Sequence, residues 1–408
     1  MSVAPADRSS APKPSLGFVV LLSALAGMGP AAVDIYLPSL PSMARDFGAP
    51  AGQAELTVAA FLLGVCTGQL FHGPISDRIG RRPPLIVAVA VFVAASIGCV
   101  YAPSIQVLIG LRFLQALGSC SGIVLSRAIV RDLYDDEQTV LVLSVLMAVT
   151  GVAPVVAPLI GSMILLVGTW RTVFWILAGF GSILLVSVII WLKESRTEAV
   201  AVQASGESVL AAYRAVLGER AVLGYGLACG FGMAAMFTYI ASSSNVIIGH
   251  YGLSPQVYSL IFATNALGIV GGSVLNRRLS RRHHVDDLLR RAGLLTLVCG
   301  ALMAICAWTG FGGLPGLLVP LFFIVANVGM VMPNTVGGAL AIDPRRSGAI
   351  SAVVGAAPFA LGATMAAITG ALYDGTARPM ASTIALCAAL SYASLSLLPR
   401  RPRIAAAR

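Results

Sequence analysis

Few side chains in this sequence could do chemistry, and two stand out by where they sit. The apolar run 16–38, which closes in AAVDIYLPSLP (31–41), holds one acid, Asp34, and the apolar run 104–126 holds one base, Arg112. A charge near the centre of a bilayer costs about 2.5–3.5 kcal/mol on insertion scales, and such residues mark ion or substrate pathways. The chemistry open to this pair is reversible protonation. Desolvation favours the neutral acid and a nearby cation favours the carboxylate, so substrate or conformation can tip the balance. With the first run ending near Pro38, Asp34 is expected about 6 Å in from that end, and Arg112 about 12 Å in from Ser104, at 1.5 Å per residue. Their side chains can meet if the two helices are neighbours.

Other chemistries lack their residues. The chain has two lysines, Lys13 and Lys193, and neither closes a GxxxxGK[ST] phosphate loop. There is no nucleophile elbow and no HExxH, and His72, His250, His283 and His284 have no partners at ligand spacing. The seven cysteines all fall inside apolar runs without a CxxC pair, so they are read as small core residues. No disulfide, metal site or cofactor is expected, an ATPase or membrane enzyme is disfavoured, and an ion gradient is left as the energy source.

The elements that must position Asp34 and Arg112 are set by composition. Hydrophobic residues make up 57% of the 408 and charged residues 11%, and the mean hydropathy is +0.88; a soluble protein would sit near one-quarter charged. Runs long enough to cross about 30 Å of hydrocarbon as helices recur at 16–38, 54–73, 84–102, 104–126, 139–168, 171–192, 221–248, 256–275, 292–310, 314–341, 347–373 and 379–398. A membrane barrel would show short alternating segments instead. The predicted fold class is all-α, a polytopic protein with twelve transmembrane helices.

Charge placement sets the expected orientation. With the N-terminus inside, the outer loops hold Arg45, Arg171 and Arg378, Arg112 lies within a run, and the other 23 of the 27 Lys and Arg residues fall inside, as the positive-inside rule demands. The net charge of +10 is therefore a topology signal rather than a nucleic-acid signal. The stretch NRRLSRRHH (276–284) is read as an anchor on the inner leaflet of the lipid bilayer. The start, MSVAPADRSSAPKPS, carries no evident cleavable signal and is expected to be a disordered cytoplasmic tail.

The polar stretch 193–220 divides the runs into six and six, and the halves echo each other. GPISDRIGRR (73–82) matches GSVLNRRLSRR (272–282) at a constant offset, with Gly73 on Gly272, Asp77 on Asn276 and Arg78 on Arg277; GVAPVVAPLIG (151–161) in the fifth run has GAAPFALGA (355–363) in the eleventh. A duplicated six-helix half is a transporter architecture, two bundles enclosing a midplane site. The expected parts are a tail (1–15), an N-terminal bundle (16–192), a linker (193–220), a C-terminal bundle (221–398) and a basic tail (399–408), both tails cytoplasmic. GxxxG spacings at Gly64/Gly68, Gly118/Gly122, Gly226/Gly230 and Gly268/Gly272 are expected to let helices pack closely. Pro154 and Pro158 remove two backbone donors from the fifth run while Gly151 and Gly161 remove bulk, which suits bending or tight packing. Met233, Met236, Phe237, Tyr239 and Asn245 in the seventh run suit a cavity for varied apolar molecules, with Tyr36 and Gln115 as further candidates from the first half. Asn265, Asn327 and Asn334 are the polar candidates of the second half.

These motifs together resemble the major facilitator superfamily and, within it, the Bcr/CflA-type drug:proton antiporters, over essentially the whole chain apart from its tails. GPISDRIGRRPPL (73–85) is similar to the superfamily's signature loop between helices 2 and 3, LIGLRFLQALGSCSG (108–122) to its helix-4 motif with Arg112 at the characteristic arginine, and DIYLPSLP (34–41) to the helix-1 motif of drug exporters with Asp34 at the acidic position. GVAPVVAPLIG is similar to the helix-5 antiporter motif, with Ala153 where a Gly often precedes the proline. The resemblance implies export of small, often lipophilic drugs across the bacterial inner membrane in exchange for protons, by a multi-pass protein working as a monomer. The alternative is a proton-coupled importer of a metabolite on the same fold. The loop residues Gly73, Asp77, Arg78, Gly80, Arg81 and Arg82 are then expected to form a cytoplasmic gate. Asp77 is expected to dock on the N-terminus of the eleventh helix near Ser347, flanked by Arg345 and Arg346, since a helix N-terminus carries about half a unit of positive charge.

Overall fold

The computed structural model describes residues 14–196, 209–343 and 346–398. Most of the N-terminal tail, the linker segment 197–208, Arg345 and the basic tail 399–408 lie outside the described residues.

Every described element is helical or a connection. In chain order these are α1 (Leu16–Asp34), a 3₁₀ turn (Leu37–Ser39), α2 (Leu40–Asp46), α3 (Ala51–Ile79), α4 (Arg82–Val100), α5 (Ile105–Leu133), α6 (Asp136–Val167) and α7 (Trp170–Trp191). There follow α8 (Val209–Gly218), α9 (Arg220–Ser244) with a π-helical turn (Asn245–His250), α10 (Pro255–Leu279), α11 (Val285–Thr309), α12 (Gly313–Leu340), α13 (Ser347–Ala371) and α14 (Arg378–Ser394). Among the described residues, twelve helices are long and apolar enough to cross a membrane, α1 and α2 counting as one and α9 running through its π turn. Local chemistry places several ends: Ser104 and Asp135 cap α5 and α6 by accepting from Val107 N and Gln138 N. Large apolar side chains such as Val140, Leu141, Met147 and Val167 stay exposed along α6, a surface that suits lipid and would be a liability in water.

The described chain forms two compact units. The first contains α1–α7, together with 240–266 and 366–376; the second contains α8, residues 220–239, most of α10, α11, α12, most of α13, and α14. The boundaries expected from sequence follow chain order, whereas packing assigns one end each of α9, α10 and α13 to the first unit.

In the first unit α5 is the central post. Gly64 and Gly68 of α3 abut its Ala116 and Cys120, Gly118 abuts Ala88 and Phe92 of α4, and a Cβ on Gly122 would lie 2.0 Å from the Leu25 carbonyl oxygen of α1. In the second unit Gly268 and Gly272 of α10 meet Phe322 and Ala326 of α12, and Gly230 of α9 meets Leu361 of α13. The small-residue spacings are thus helix contacts. Gly226 packs loosely, with Val354 at 3.9 Å from its would-be Cβ.

Candidate functional site

Asp34 is deeper than the sequence suggested. The helical path does not stop at Pro38 but turns through Leu37–Ser39 and continues as α2 to Asp46. Pro38 and Pro41 both sit in first turns, where a missing N–H costs nothing. Asp34 therefore lies up to about 18 Å from that end at the helical rise, and it is only 2% exposed.

Arg112 is fully buried on α5, which packs against α1. Its Nη1 donates to the Ala32 carbonyl at 3.2 Å and to Gln115 Oε1, and Gln115 Nε2 donates to Ser96 Oγ at 2.7 Å. The guanidinium lies over the rings of Tyr36 and Phe61, at 4.1 and 4.3 Å from their centroids, with Phe174 at 5.7 Å. The Tyr36 hydroxyl is held by Thr57 Oγ1 at 3.0 Å. Asp34 and Arg112 do not form an ion pair here. Arg112 instead grips the backbone of Asp34's own helix two residues earlier, while Asp34 Oδ1, Arg112 Nε and Arg112 Nη2 have no hydrogen-bond partner among the described residues.

That arrangement has a chemical consequence. A buried carboxylate without a partner costs several kcal/mol when ionised, and the neutral acid costs far less. Asp34 can keep this packing at low cost only with its proton, and it can release the proton at low cost only if water or Arg112 reaches it.

α6 presses on the same place. A Cβ on Gly161 would lie 1.8 Å from the Ile35 carbonyl oxygen, so backbone meets backbone one residue after Asp34. Pro158, inside α6 with Pro154, presents its carbonyl to Ser259 Oγ at 2.8 Å. Gly151 packs against nothing within 4 Å of a would-be Cβ.

The 73–82 stretch, expected from sequence as a loop, is mostly helix: Gly73, Asp77 and Arg78 lie in the last two turns of α3, Arg82 opens α4, only Gly80 and Arg81 link them, and this corner is built around Arg81. Ser76 lies in the last turn of α3, and Gly80 ends that helix at φ +101°, a left-handed conformation that favours glycine. A Cβ on Gly80 would also meet Glu194 Oε2 at 2.5 Å, whereas Gly73 has open space around it. Arg81 donates through Nε to Asp132 Oδ2 at 2.8 Å and through Nη1 to Ser76 Oγ at 2.7 Å and to Asp77 Oδ1. Glu194 accepts from the backbone N–H groups of Arg81 at 2.7 Å, Arg82 at 3.1 Å, Ser195 at 3.1 Å and Arg196 at 3.0 Å. Partial burial works against this carboxylate, but those four donors hold it below the usual carboxylate range. Arg82 Nη2 reaches the Ile189 carbonyl, and Arg196 Nη1 reaches the carbonyls of Asp77 and Arg78. The corner is thus stapled to the end of α5 and to the segment after α7, while the Asp77 side chain stays 39% exposed.

The other predicted residues separate. Tyr36 and Gln115 are brought to Arg112, and Asn245 is brought to Glu55 of α3, so all three are engaged by protein partners. Met236, half-buried, and Tyr239 lie on α9 in the second unit. There Asn327 is bound to Ala292 and Thr296, and Asn334 to Asn276.

Four charged residues not expected from sequence, Glu55, Asp132, Glu194 and Arg196, take part in these contacts. Glu55 stands second in the run 54–73, a signal that was available. Asp132 lies beyond residue 126, where the fourth run was ended although α5 continues to Leu133. Glu194 sits in the stretch read as linker.

The family model described as Major Facilitator Superfamily matches residues 16–367. The chain is 35% identical over 380 residues to the uncharacterized MFS-type transporter YdgK of Bacillus subtilis (strain 168), covering 93% of this chain and 94% of that one. It is 28% identical over 384 residues to a bicyclomycin resistance protein homolog of Haemophilus influenzae, covering 94% and 96%. Among solved structures, a D-xylose–proton symporter shares the fold at a TM-score of 0.71 and 16% identity, over 94% of this chain and 98% of that chain. The motifs quoted from the sequence, the twelve membrane-length helices and these matches agree: the chain belongs to the major facilitator superfamily.

Proposed function

We propose that this protein exports small amphipathic compounds in exchange for protons, with Asp34 as the proton-exchanging group and Arg112 as the cation that responds to it. The observation that carries the reading is Asp34, 2% exposed with Oδ1 unpartnered, on the helix whose Ala32 carbonyl is held by Arg112, an arginine whose Nε and Nη2 are also unpartnered. When the proton leaves, Arg112 can turn from the Ala32 carbonyl toward the new carboxylate, and because Arg112 also holds Gln115, Tyr36 and Phe61, that turn is felt in α1, α3 and α5. Each proton moving inward through the field supplies about 2.3 kcal/mol per 100 mV. The bicyclomycin resistance relative supports drug-like cargo and the exporter direction.

The rest of the reading follows the charge distribution. The protein is multi-pass and works as a monomer in the bacterial inner membrane, with both termini and the Arg-rich loops cytoplasmic. The 73–82 stretch is the cytoplasmic gate. Met236, half-buried, remains the side chain proposed to meet cargo, since Tyr36, Gln115 and Asn245 are engaged by protein groups and Tyr239 is buried. Proteoliposome flux under an imposed pH gradient tests the direction: cargo moving opposite to protons supports export, and cargo moving with protons refutes it.

A further inference from the structure

A second carboxylate lies in the membrane-spanning part of the first unit, and the Asp34 reading does not use it. Glu55 of α3 is fully buried. Its Oε1 accepts from Asn245 Nδ2 at 2.9 Å, and its Oε2 accepts from Ser242 Oγ. Asn245 Nδ2 also donates to the Ala51 carbonyl at 3.1 Å, which fixes the amide as the donor toward Glu55. Asn245 opens the π-helical turn that ends α9, and such turns are rare and concentrate at functional sites. Around this cluster the backbones are as close as they can be: a Cβ on Gly52 would lie 2.0 Å from the Gly370 carbonyl oxygen, and the Tyr373 hydroxyl donates to the Asn245 carbonyl at 3.2 Å. One acid therefore sits where α3, the end of α9 and the end of α13 are drawn together.

Among the described residues, no basic side chain is a hydrogen-bond or ion-pair partner of this acid. From α9 it is faced by the neutral Ser242 and Asn245; from the segment after α13 the titratable group facing it is Tyr373, with Asp374 next in sequence. Two residues along its own helix, Thr57 holds the Tyr36 hydroxyl. An ionised carboxylate buried among such groups costs several kcal/mol, whereas a neutral acid with both oxygens hydrogen-bonded costs little. Asn245 Nδ2 and Ser242 Oγ both donate to the carboxyl, bonds that either form can accept, so burial away from any basic side chain is what favours the neutral acid in this packing. Once the three segments part, water reaches Glu55 and the ionised form becomes the cheaper one.

We propose that Glu55 is a second proton-binding site, and that binding its proton closes the end of the transporter at which α3, α9 and α13 meet. With both termini cytoplasmic this is the extracytoplasmic mouth, so protons arriving from outside drive the return from the outward-open state. Export in exchange for protons needs such a step, yet the closure itself does not depend on the role of Asp34. The sign follows from linkage: the closed state binds the proton more tightly than the open one, so closure strengthens as external pH falls.

Backbone hydrogen–deuterium exchange in residues 240–250 and 51–57 of the full chain in proteoliposomes reads the closure directly. After correction for the intrinsic effect of pH on exchange, the opening of these segments rises with pH by up to about tenfold per unit, the limit for one linked proton. Glu55→Gln, which keeps the shape and both hydrogen bonds, stays protected at every pH; Glu55→Ala is unprotected throughout. Asp34→Asn leaves the pH dependence in place. The proposal is overturned if Glu55→Gln retains the wild-type pH dependence, if Glu55→Ala is as protected as wild type, or if the dependence vanishes with Asp34→Asn instead. The last result would move this proton to Asp34 and leave the exporter reading standing.

Discussion

Replacing Arg112 separates charge from shape at the centre of the first unit. Its guanidinium makes two hydrogen bonds through Nη1 and lies over two rings at 4.1 and 4.3 Å. Hydrogen bonds from an ionised donor are worth about 1.5–3 kcal/mol each and desolvated cation–π contacts about 2 each, so the gross interaction is about 7–10 kcal/mol. Burying the charge takes back several kcal/mol. Arg112→Ala should therefore cost the fold only a few kcal/mol while removing the group that answers Asp34. Lysine keeps the charge but presents a compact ammonium in place of a planar fork; it can hold either the Ala32 carbonyl or Gln115 and cannot stack on both rings. The loss of one such bond, about 1.5–3 kcal/mol, depopulates the state in hand roughly ten- to a hundredfold, at 1.4 kcal/mol per factor of ten. Proteoliposomes with an imposed pH gradient and a fluorescent substrate measure the outcome, with monodisperse elution checking the fold. Arg112→Lys should retain slow transport and Arg112→Ala almost none. Wild-type rates in both would reduce this arginine to a packing residue and refute the reasoning.

Two predictions concern the charged corner. Asp77→Asn weakens its bond to Arg81; because Asp77 is 39% exposed this is worth about 0–1 kcal/mol, enough to shift the resting population severalfold and slow export with substrate affinity kept, and an unchanged cysteine-accessibility ratio between the two mouths would count against a gating role. Glu194→Gln removes the charge that four backbone N–H groups share, costing about 1 kcal/mol at neutral pH once solvent exposure is allowed for. Since the folded protein holds this carboxylate below its usual range, its contribution is present at neutral pH and is lost as pH falls through that depressed value, so the wild-type advantage in thermal unfolding should shrink toward acid; a gap that widens toward acid would contradict the assignment.

What the sequence disclosed follows from what the bilayer dictates. Hydrocarbon thickness sets the length of every crossing helix, so the twelve runs could be read from hydropathy alone, and the glycine spacings on α3, α5 and α10 announced contacts that now show as backbone-to-side-chain or backbone-to-backbone approaches. Asp34 and Arg112 were legible because each is a lone charge in an apolar run. The depth of Asp34 was not, because Pro38 and Pro41 read as a stop when they begin new turns. Glu55 was hidden by its place one residue inside a run, and its partners Ser242 and Asn245 lie 187 and 190 residues away in the chain. The hub at Glu194 was likewise invisible, since nothing local says that a carboxylate after α7 will cap the turn between α3 and α4.

The central claim is that Asp34 carries the coupling proton, and the most direct test sets two transport modes side by side in one mutant. Asp34→Asn fixes the site in a form equivalent to the protonated acid while keeping its size. In proteoliposomes without a gradient it should still exchange labelled for unlabelled substrate, since binding and rocking survive. Under an imposed pH gradient it should fail to concentrate substrate and should release no protons on substrate addition. Gradient-driven accumulation by Asp34→Asn at the wild-type level would contradict the account.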